Sequence, residues 1–415
     1  MVRKRFSQTL LATLAVVAIV ALPASSAWAS QEKVAYSFAG DEDGEYPSTD
    51  LVIDAAGNLY GTTVEGGEFG GGTVFELSPD GSGGWTHTVL YSFLGTSDGA
   101  QPYGGVTLDA QGNLYGTAVV GGTGGTCPED GCGVAYELRN AGGSWHEHVI
   151  HNFQGGNDGY GPGAGLTFDA DGNLYGMTPT GGADGLGVIY QLVPGAAGQW
   201  QENVIHTFTG GNDGATASAG RLTLSPTGQL FGVATVGGQY GSGVAFRLGQ
   251  RGGTWKLQPL YQFQGSPDAG FPYGALSLDA AGHLFGTTYY DGANDLGSVY
   301  ELAKTGTGWG ERVLYSFRGG QDGSSSISGL VIDSAGNLYG TTSEGGAAGC
   351  GCGTIFKLTP GAGGTWTESV AYRFTGPPDA AFAYNGMVAT PSGTLYGTTV
   401  HGGADNEGAV YSFTP

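Results

Sequence analysis

The sequence predicts an all-β fold: a seven-bladed β-propeller of four-stranded antiparallel blades, its ring closed by the N-terminal strand. Three observations predict it. A unit of roughly 55 residues recurs along the chain. Each unit holds four short segments rich in Val, Tyr, Phe and Thr, separated by turn residues. The chain also ends one segment short of a full unit, and it begins with that missing segment.

The period is carried by the aromatic residue of "LYG". It falls at Tyr60, Tyr115, Tyr175, Phe231, Phe285, Tyr339 and Tyr396, in steps of 55, 60, 56, 54, 54 and 57. The first segment of a unit resembles "LVIDAAG", marked by Leu51, Leu166 and Leu330. The second is "NLYGTT". The third is "GTVFELSP", with kin in "GVIYQLVP" and "GTIFKLTP". The fourth is "WTHTVLYSF", with kin in "WQENVIHTF" and "WKLQPLYQF". "DAAGN" joins the first two as a tight hairpin, with Asp bonding the turn backbone and Gly taking a positive φ. The competing architecture, a solenoid, needs capping repeats. Here the chain finishes on a third segment, "EGAVYSFTP", and starts on a fourth, "SQEKVAYSF". Residues 30–38 are therefore expected to complete blade 7. The repeats lie near 51–93, 106–153, 166–208, 222–263, 276–317, 330–374 and 387–415. Trp85, Trp145, Trp200, Trp255, Trp309 and Trp366 each precede the fourth-segment Phe by eight residues, and eight before Phe38 is Ser30.

Residues 1–29 read as a signal peptide: basic Arg3, Lys4 and Arg5, an apolar run from Leu10 to Leu22, and small residues at Ala27 and Ala29 before the cut. The apolar run is short for a membrane span, so the mature chain, 30–415, is expected to carry no transmembrane segment. It is expected to be exported, to the periplasm, the cell surface or the medium, as a monomer. The chain has 84 Gly, 12% charged residues and 11% aromatics. Glycine at that level with periodic aromatics reads as many turns between short strands, not as disorder. The net charge of −22 becomes −25 once the three basic residues of the signal are removed, which argues against a nucleic-acid partner.

The composite motif G-N-L-Y-G-T-T…G-G…G-T-V-F-x-L…V-L-Y-S-F…D-G resembles the GloVer tandem-repeat family of exported bacterial proteins, over nearly the whole mature chain. The resemblance implies an exported repeat protein, often with a C-terminal surface anchor. This sequence reaches Pro415 without one. The "DxxGNLYG" core also looks like the blades of sensor-type and NHL-type propellers, which speaks to fold and not to function.

In a propeller the inter-blade connections and the second-to-third strand loops share the face that rims the central channel, where ligands bind. Each connection holds an aspartate five residues after the Phe: Asp43, Asp98, Asp158, Asp213, Asp268, Asp322 and Asp379. Seven such carboxylates could gather calcium, but each is better explained as the fastener of its own turn. Five residues further on stand Ser48, Tyr103, Gly163, Ser218, Tyr273, Ile327 and Tyr384, near Tyr46, Tyr160, Phe271 and Phe382. Tyr103, Tyr273 and Tyr384 suit stacking on sugars or peptide side chains, or else packing between blades. Four residues after the Gly of "NLYG" stand Glu65, Val120, Thr180, Val236, Tyr290, Glu344 and His401. Tyr290, Glu344, His401 and Glu65 come from contiguous blades. Tyr290 is a ligand-binding candidate. Glu65, Glu344 and His401 are candidates for acid–base catalysis, against a plainer reading as solvated loop residues.

Cys127 with Cys132, and Cys350 with Cys352, are two local pairs expected to form disulfides in an exported protein. A zinc site would need four ligands from distant blades, so no metal is expected. "DADGN" at Asp169 has Thr180 where a calcium loop needs Glu, and reads as another hairpin. His151, His206 and His283 read as structural substitutions. No cofactor is implied. The functional expectation is a binding or scaffold propeller for a glycan or a protein. A carbohydrate-active hydrolase or lyase using Glu65, Glu344 and His401 is one alternative, and a purely structural envelope component the other.

Overall fold

The computed structural model describes residues 31–415, apart from 128, 129, 218, 219 and 307. The signal peptide, the cut before Ser30, and Ser218 therefore lie outside the described residues. Seven four-stranded antiparallel blades surround one axis. Blade 1 shows the pattern: inner strand Val52–Ile53, second Leu59–Thr63, third Thr73–Pro79, outer Trp85–Ser92. Blade 7 is built from Val388–Ala389, Leu395–Thr399, Ala409–Thr414 and, as its outer strand, Gln31–Ser37. The N-terminal strand thus closes the ring, as expected. Blade 5 departs slightly: its second strand runs on to Asp291 and gains a pairing with Ala269–Pro272.

The motif letters explain the packing. "LYG" places Leu in the blade core, and its glycine makes room for the third-strand aromatic. A Cβ at Gly397 would stand 2.4 Å from the Tyr411 hydroxyl, and one at Gly61 would stand 2.7 Å from Phe75. The outer-strand Phe of each blade then packs edge-on against the third-strand aromatic of the next. Phe93 meets Tyr136 at 5.0 Å, Phe153 meets Tyr190 at 5.0 Å, and Phe38 meets Phe75 at 5.1 Å. The motif Trp of one blade lies against the "LYG" aromatic of the blade before, as in Trp255 on Tyr175 and Trp85 on Tyr396. The first Thr of "GTT" ties neighbouring blades: Thr62 donates to the Pro102 carbonyl at 2.6 Å, and Thr398 to the Thr49 carbonyl at 2.9 Å. The second pairs within a blade, as Thr63 does with Thr73.

The "DAAGN" turns form as expected. Asp54 accepts the Ala56 and Asn58 N–H groups, and Gly57 has φ 89°. At His283 the imidazole replaces the Asn amide on Asp279, at 3.0 Å.

Candidate functional site

The channel face is built from the inter-blade connections, and one aspartate shapes each of them. Asp98 accepts the Leu94 N–H at 2.7 Å and the Tyr91 hydroxyl at 3.0 Å. Asp43, Asp268, Asp322 and Asp379 do the same with their own Tyr and backbone N–H. Asp158 and Asp213 take His151 and His206 where the others take Tyr. These carboxylates are fasteners of turns. Among the described residues no group of three or more His, Cys, Asp or Glu could hold a metal ion.

Three residues after each aspartate the backbone turns left-handed, at Tyr46, Gln101, Gly161, Thr216, Phe271, Ser325 and Phe382, with φ between 54° and 69°. Only one of the seven is glycine. Side chains rarely adopt this region, at a cost of about 1–2 kcal/mol each. The turn delivers the chain to the axis two residues later. There Ser48, Tyr103, Gly163, Tyr273, Ile327 and Tyr384 line a single bowl of about 490 Å³. The three tyrosines come from blades 2, 5 and 7. Tyr103 is 43% exposed. Burial, with Glu65 adding to it, raises the Tyr103 phenol above its ordinary pKa, and burial with Glu344 does the same to Tyr384.

The bowl has a charged floor that position counting from the aspartate missed. The residue just before each inner-strand apolar position is Asp50, Gly105, Gly165, Arg221, Ala275, Gly329 and Gly386. Five are small, and the two charged ones meet: Arg221 Nε lies 3.9 Å from Asp50 Oδ2. Arg221 also donates to the Val106 carbonyl at 3.4 Å, and Asp50 accepts the Gly386 N–H at 2.9 Å. A Cβ at Gly165 would stand 2.7 Å from the Gly104 carbonyl oxygen and 3.1 Å from the guanidinium, which explains a glycine there. A one-residue insertion in blade 4 hid Arg221; aligning on the inner-strand Leu would have exposed it.

The seven positions of the Glu65 set are structurally equivalent. Each bridges a connection: Glu45 to Glu65, Ala100 to Val120, Tyr160 to Thr180, Ala215 to Val236, Ser324 to Glu344, and likewise Gly270 to Tyr290 and Ala381 to His401. They stand outside the bowl, which is lined instead by their predecessors Val119 and Pro179. No hydrogen bond or ion pair joins any two of Glu65, Glu344 and His401 among the described residues. His401 is boxed edge-on by Tyr46 at 5.3 Å and Phe382 at 5.7 Å. Tyr290 is 49% exposed and packs on Tyr289, 4.1 Å between centroids. Tyr289, which the sequence reading passed over, links it to Tyr273 at 6.4 Å. The Tyr290 contact and burial push the Tyr289 phenol up to about 12. Blade 5 thus carries an aromatic path from bowl to rim.

Both cysteine pairs, Cys127–Cys132 and Cys350–Cys352, are disulfides in loops of this face. No described helix is long and apolar enough to cross a membrane.

Fold and bowl together define a seven-bladed propeller with an aromatic pocket on its axis. The chain belongs to the Gloeobacter/Verrucomicrobia repeat family, whose model matches residues 24–127, 127–351 and 257–415. No protein of curated function matches it. A candidate 6-phosphogluconolactonase from Bacteroides uniformis is similar in structure at 14% identity and a TM-score of 0.54, covering 82% of this chain and 88% of its own. A protein from Lactobacillus plantarum is similar at 14% identity and a TM-score of 0.55, covering 86% and 99%. At such identities the likeness concerns the fold alone.

Proposed function

We propose that this is an exported binding propeller whose channel-mouth bowl takes a saccharide. The observation that carries this reading is the convergence of Tyr103, Tyr273 and Tyr384 on one cavity of about 490 Å³. That volume lies in the range of small-ligand sites. Tyrosine faces stack on the apolar C–H faces of sugar rings, while Asp50, Arg221 and Asn385 supply hydrogen bonds to hydroxyls. The A-x-A pattern at Ala27 and Ala29 and the two loop disulfides support export. The test is a glycan-array screen of residues 30–415, with calcium and with chelator. A sugar whose signal falls about tenfold or more in Tyr103→Ala and Tyr273→Ala supports the reading. Absence of any hit in both conditions overturns it in favour of a protein ligand. Any bound sugar is then assayed for cleavage. Turnover that Glu65→Ala or Glu344→Ala abolishes while binding persists would make the protein a hydrolase or lyase instead.

A further inference from the structure

Blade 4 differs from the rest of the molecule in charge. Between Asp213 and Asp268 the sequence holds Arg221, Arg247, Arg251 and Lys256 and no Asp or Glu, in a chain of net charge −22. The repeat's acidic positions are the ones that change. The turn Asp of "DAAGN" becomes Ser225. The third-strand acid, Glu76, Glu137 or Glu301 in other blades, becomes Arg247. The outer-strand Glu found in five blades becomes Leu257. Arg247, Arg251 and Lys256 all line a second cavity, of about 900 Å³, which wraps the end of blade 4 opposite the bowl and reaches blade 3.

These cations are unspent. Arg139 sits on Glu137 at 2.7 Å and Arg312 is paired with Glu301. Arg247 instead donates to the amide oxygens of Gln229 and Gln258, and among the described residues neither Arg251 nor Lys256, both exposed, has a carboxylate partner. Two aspartates line the blade 3 side. Asp169 is occupied by its own turn, accepting from Asp171, Asn173 and Tyr175. Asp169 keeps its charge, so it and Asp171 together oppose three cations, and the cavity lining is net positive in an acidic chain.

We propose that this cavity is a second binding site, for an acidic polysaccharide whose carboxylates or sulfates pair with Arg247, Arg251 and Lys256. The cavity is concave, unlike a protein-docking face. Its amide side chains, Gln229 and Gln258 among them, match sugar hydroxyls. The cations are confined to one blade edge, which suits a flexible chain of spaced charges better than a rigid duplex.

The experiment titrates the whole mature chain with polyuronate and with a heparin-type sulfated oligosaccharide, each beside its carboxyl-reduced or desulfated counterpart, at two salt concentrations. Binding to at least one acidic chain and not its neutral counterpart is expected, weakening with salt, and the two arms separate carboxylate from sulfate. The double variant Arg251→Glu, Lys256→Glu should lose affinity about tenfold or more with an unchanged melting temperature, since both side chains are exposed. The milder Arg251→Gln, Lys256→Gln variant should lie between. Tyr103→Ala, in the bowl, should leave this binding intact, so the two sites fail separately. Equal binding by the charge-reversed protein, or no binding to either acidic chain, overturns the proposal. So does salt-sensitive self-association that charge reversal abolishes without any polysaccharide binding.

Discussion

At the level of single residues, the repeat preserves shape more strictly than chemistry. The glycine of "LYG" survives in every blade because the third-strand ring occupies the place of its Cβ. The backbone there is packed, so neither partner can yield cheaply. Gly397→Ala is expected to cost about 1–3 kcal/mol, read as a fall in melting temperature. The ring itself tolerates chemical change. Blades 1, 4 and 6 carry Phe75, Phe246 and Phe356, while the hydroxyls of Tyr136, Tyr190, Tyr300 and Tyr411 are buried without a partner among the described residues. A buried hydroxyl with no hydrogen bond is a cost in the folded state. Tyr300→Phe should therefore be neutral or stabilising by about 1 kcal/mol. A loss of stability instead would mean that the hydroxyl has a partner, such as an ordered water.

At the level of the strand, the outer strands carry an acid two residues after the Trp position that no exposed strand would explain. Glu147, Glu202, Glu311, Glu368 and Glu32 each lean on the turn aspartate of the preceding connection. Burial, then the neighbouring aspartate, pushes them up: Glu147, Glu202 and Glu368 to about 7, Glu32 to about 8, Glu311 to about 9, from 4.5. Each has an oxygen without a partner among the described residues, and Glu311 and Glu32 are within hydrogen-bond reach of Asp268 and Asp379. A protonated carboxyl sharing its hydrogen with a carboxylate accounts for both facts. Blade 1 solves the same contact differently: His87 Nδ1 lies 3.0 Å from Asp43. Burial opposes the charge on Asp43, but the bonds from His87, Tyr36 and Ala39 outweigh it and hold its pKa below the ordinary value. The five glutamates bind protons more tightly folded than unfolded. Their contribution to stability is complete below pH 4.5 and is lost as pH rises through 7 to 9. The melting temperature should fall by about 5 °C or more from pH 5 to pH 9, and Glu311→Gln should reduce that slope and stabilise the protein at pH 9. A flat profile would mean that these pairs are hydrated and ordinary. The strand sequence places Glu147 of "WHEHVI" on the face of Trp145 and Val149, with His146 and His148 exposed; what was not legible is that the neighbouring connection sets Asp98 against it. The strands and the three bowl tyrosines were legible because period and offset carry them. Arg221 was not, because an insertion shifted its offset, and Tyr289 was not, because the strand that extends past it occurs in one blade only.

At the level of the whole molecule, the blades are separate sheets, each with its own edges, and the chain closes them into a ring at one seam. Gln31–Ser37 pairs with Ala409–Thr414 from Gln31 opposite Thr414 to Ser37 opposite Ala409. Phe38 is wholly buried against Phe75 of blade 1, and Asp43 anchors His87 just beyond. The seam thus joins blade 7 to itself and to blade 1 at once. Removing residues 31–38 would bare the Ala409–Thr414 edge, whose inward side chains are apolar, and would leave a gap beside Phe75. An open edge of that kind templates pairing with other chains. The truncated protein is expected to aggregate, or to lose its cooperative thermal transition, by size-exclusion chromatography and circular dichroism. Loss of sequence and loss of closure are separable. Because Gln31 and Thr414 are cross-strand neighbours, a short linker can join the chain ends, and new ends can open at the exposed hairpin Gly252–Gly253. That permutant keeps every residue and moves the seam into blade 4. It should remain monomeric and melt within a few degrees of the parent, since closure by a terminal strand, rather than by this particular strand, is what the ring requires. If instead the truncated chain melts as the parent does, blades 1 and 7 are held by their side-chain contacts alone, and the seam contributes nothing.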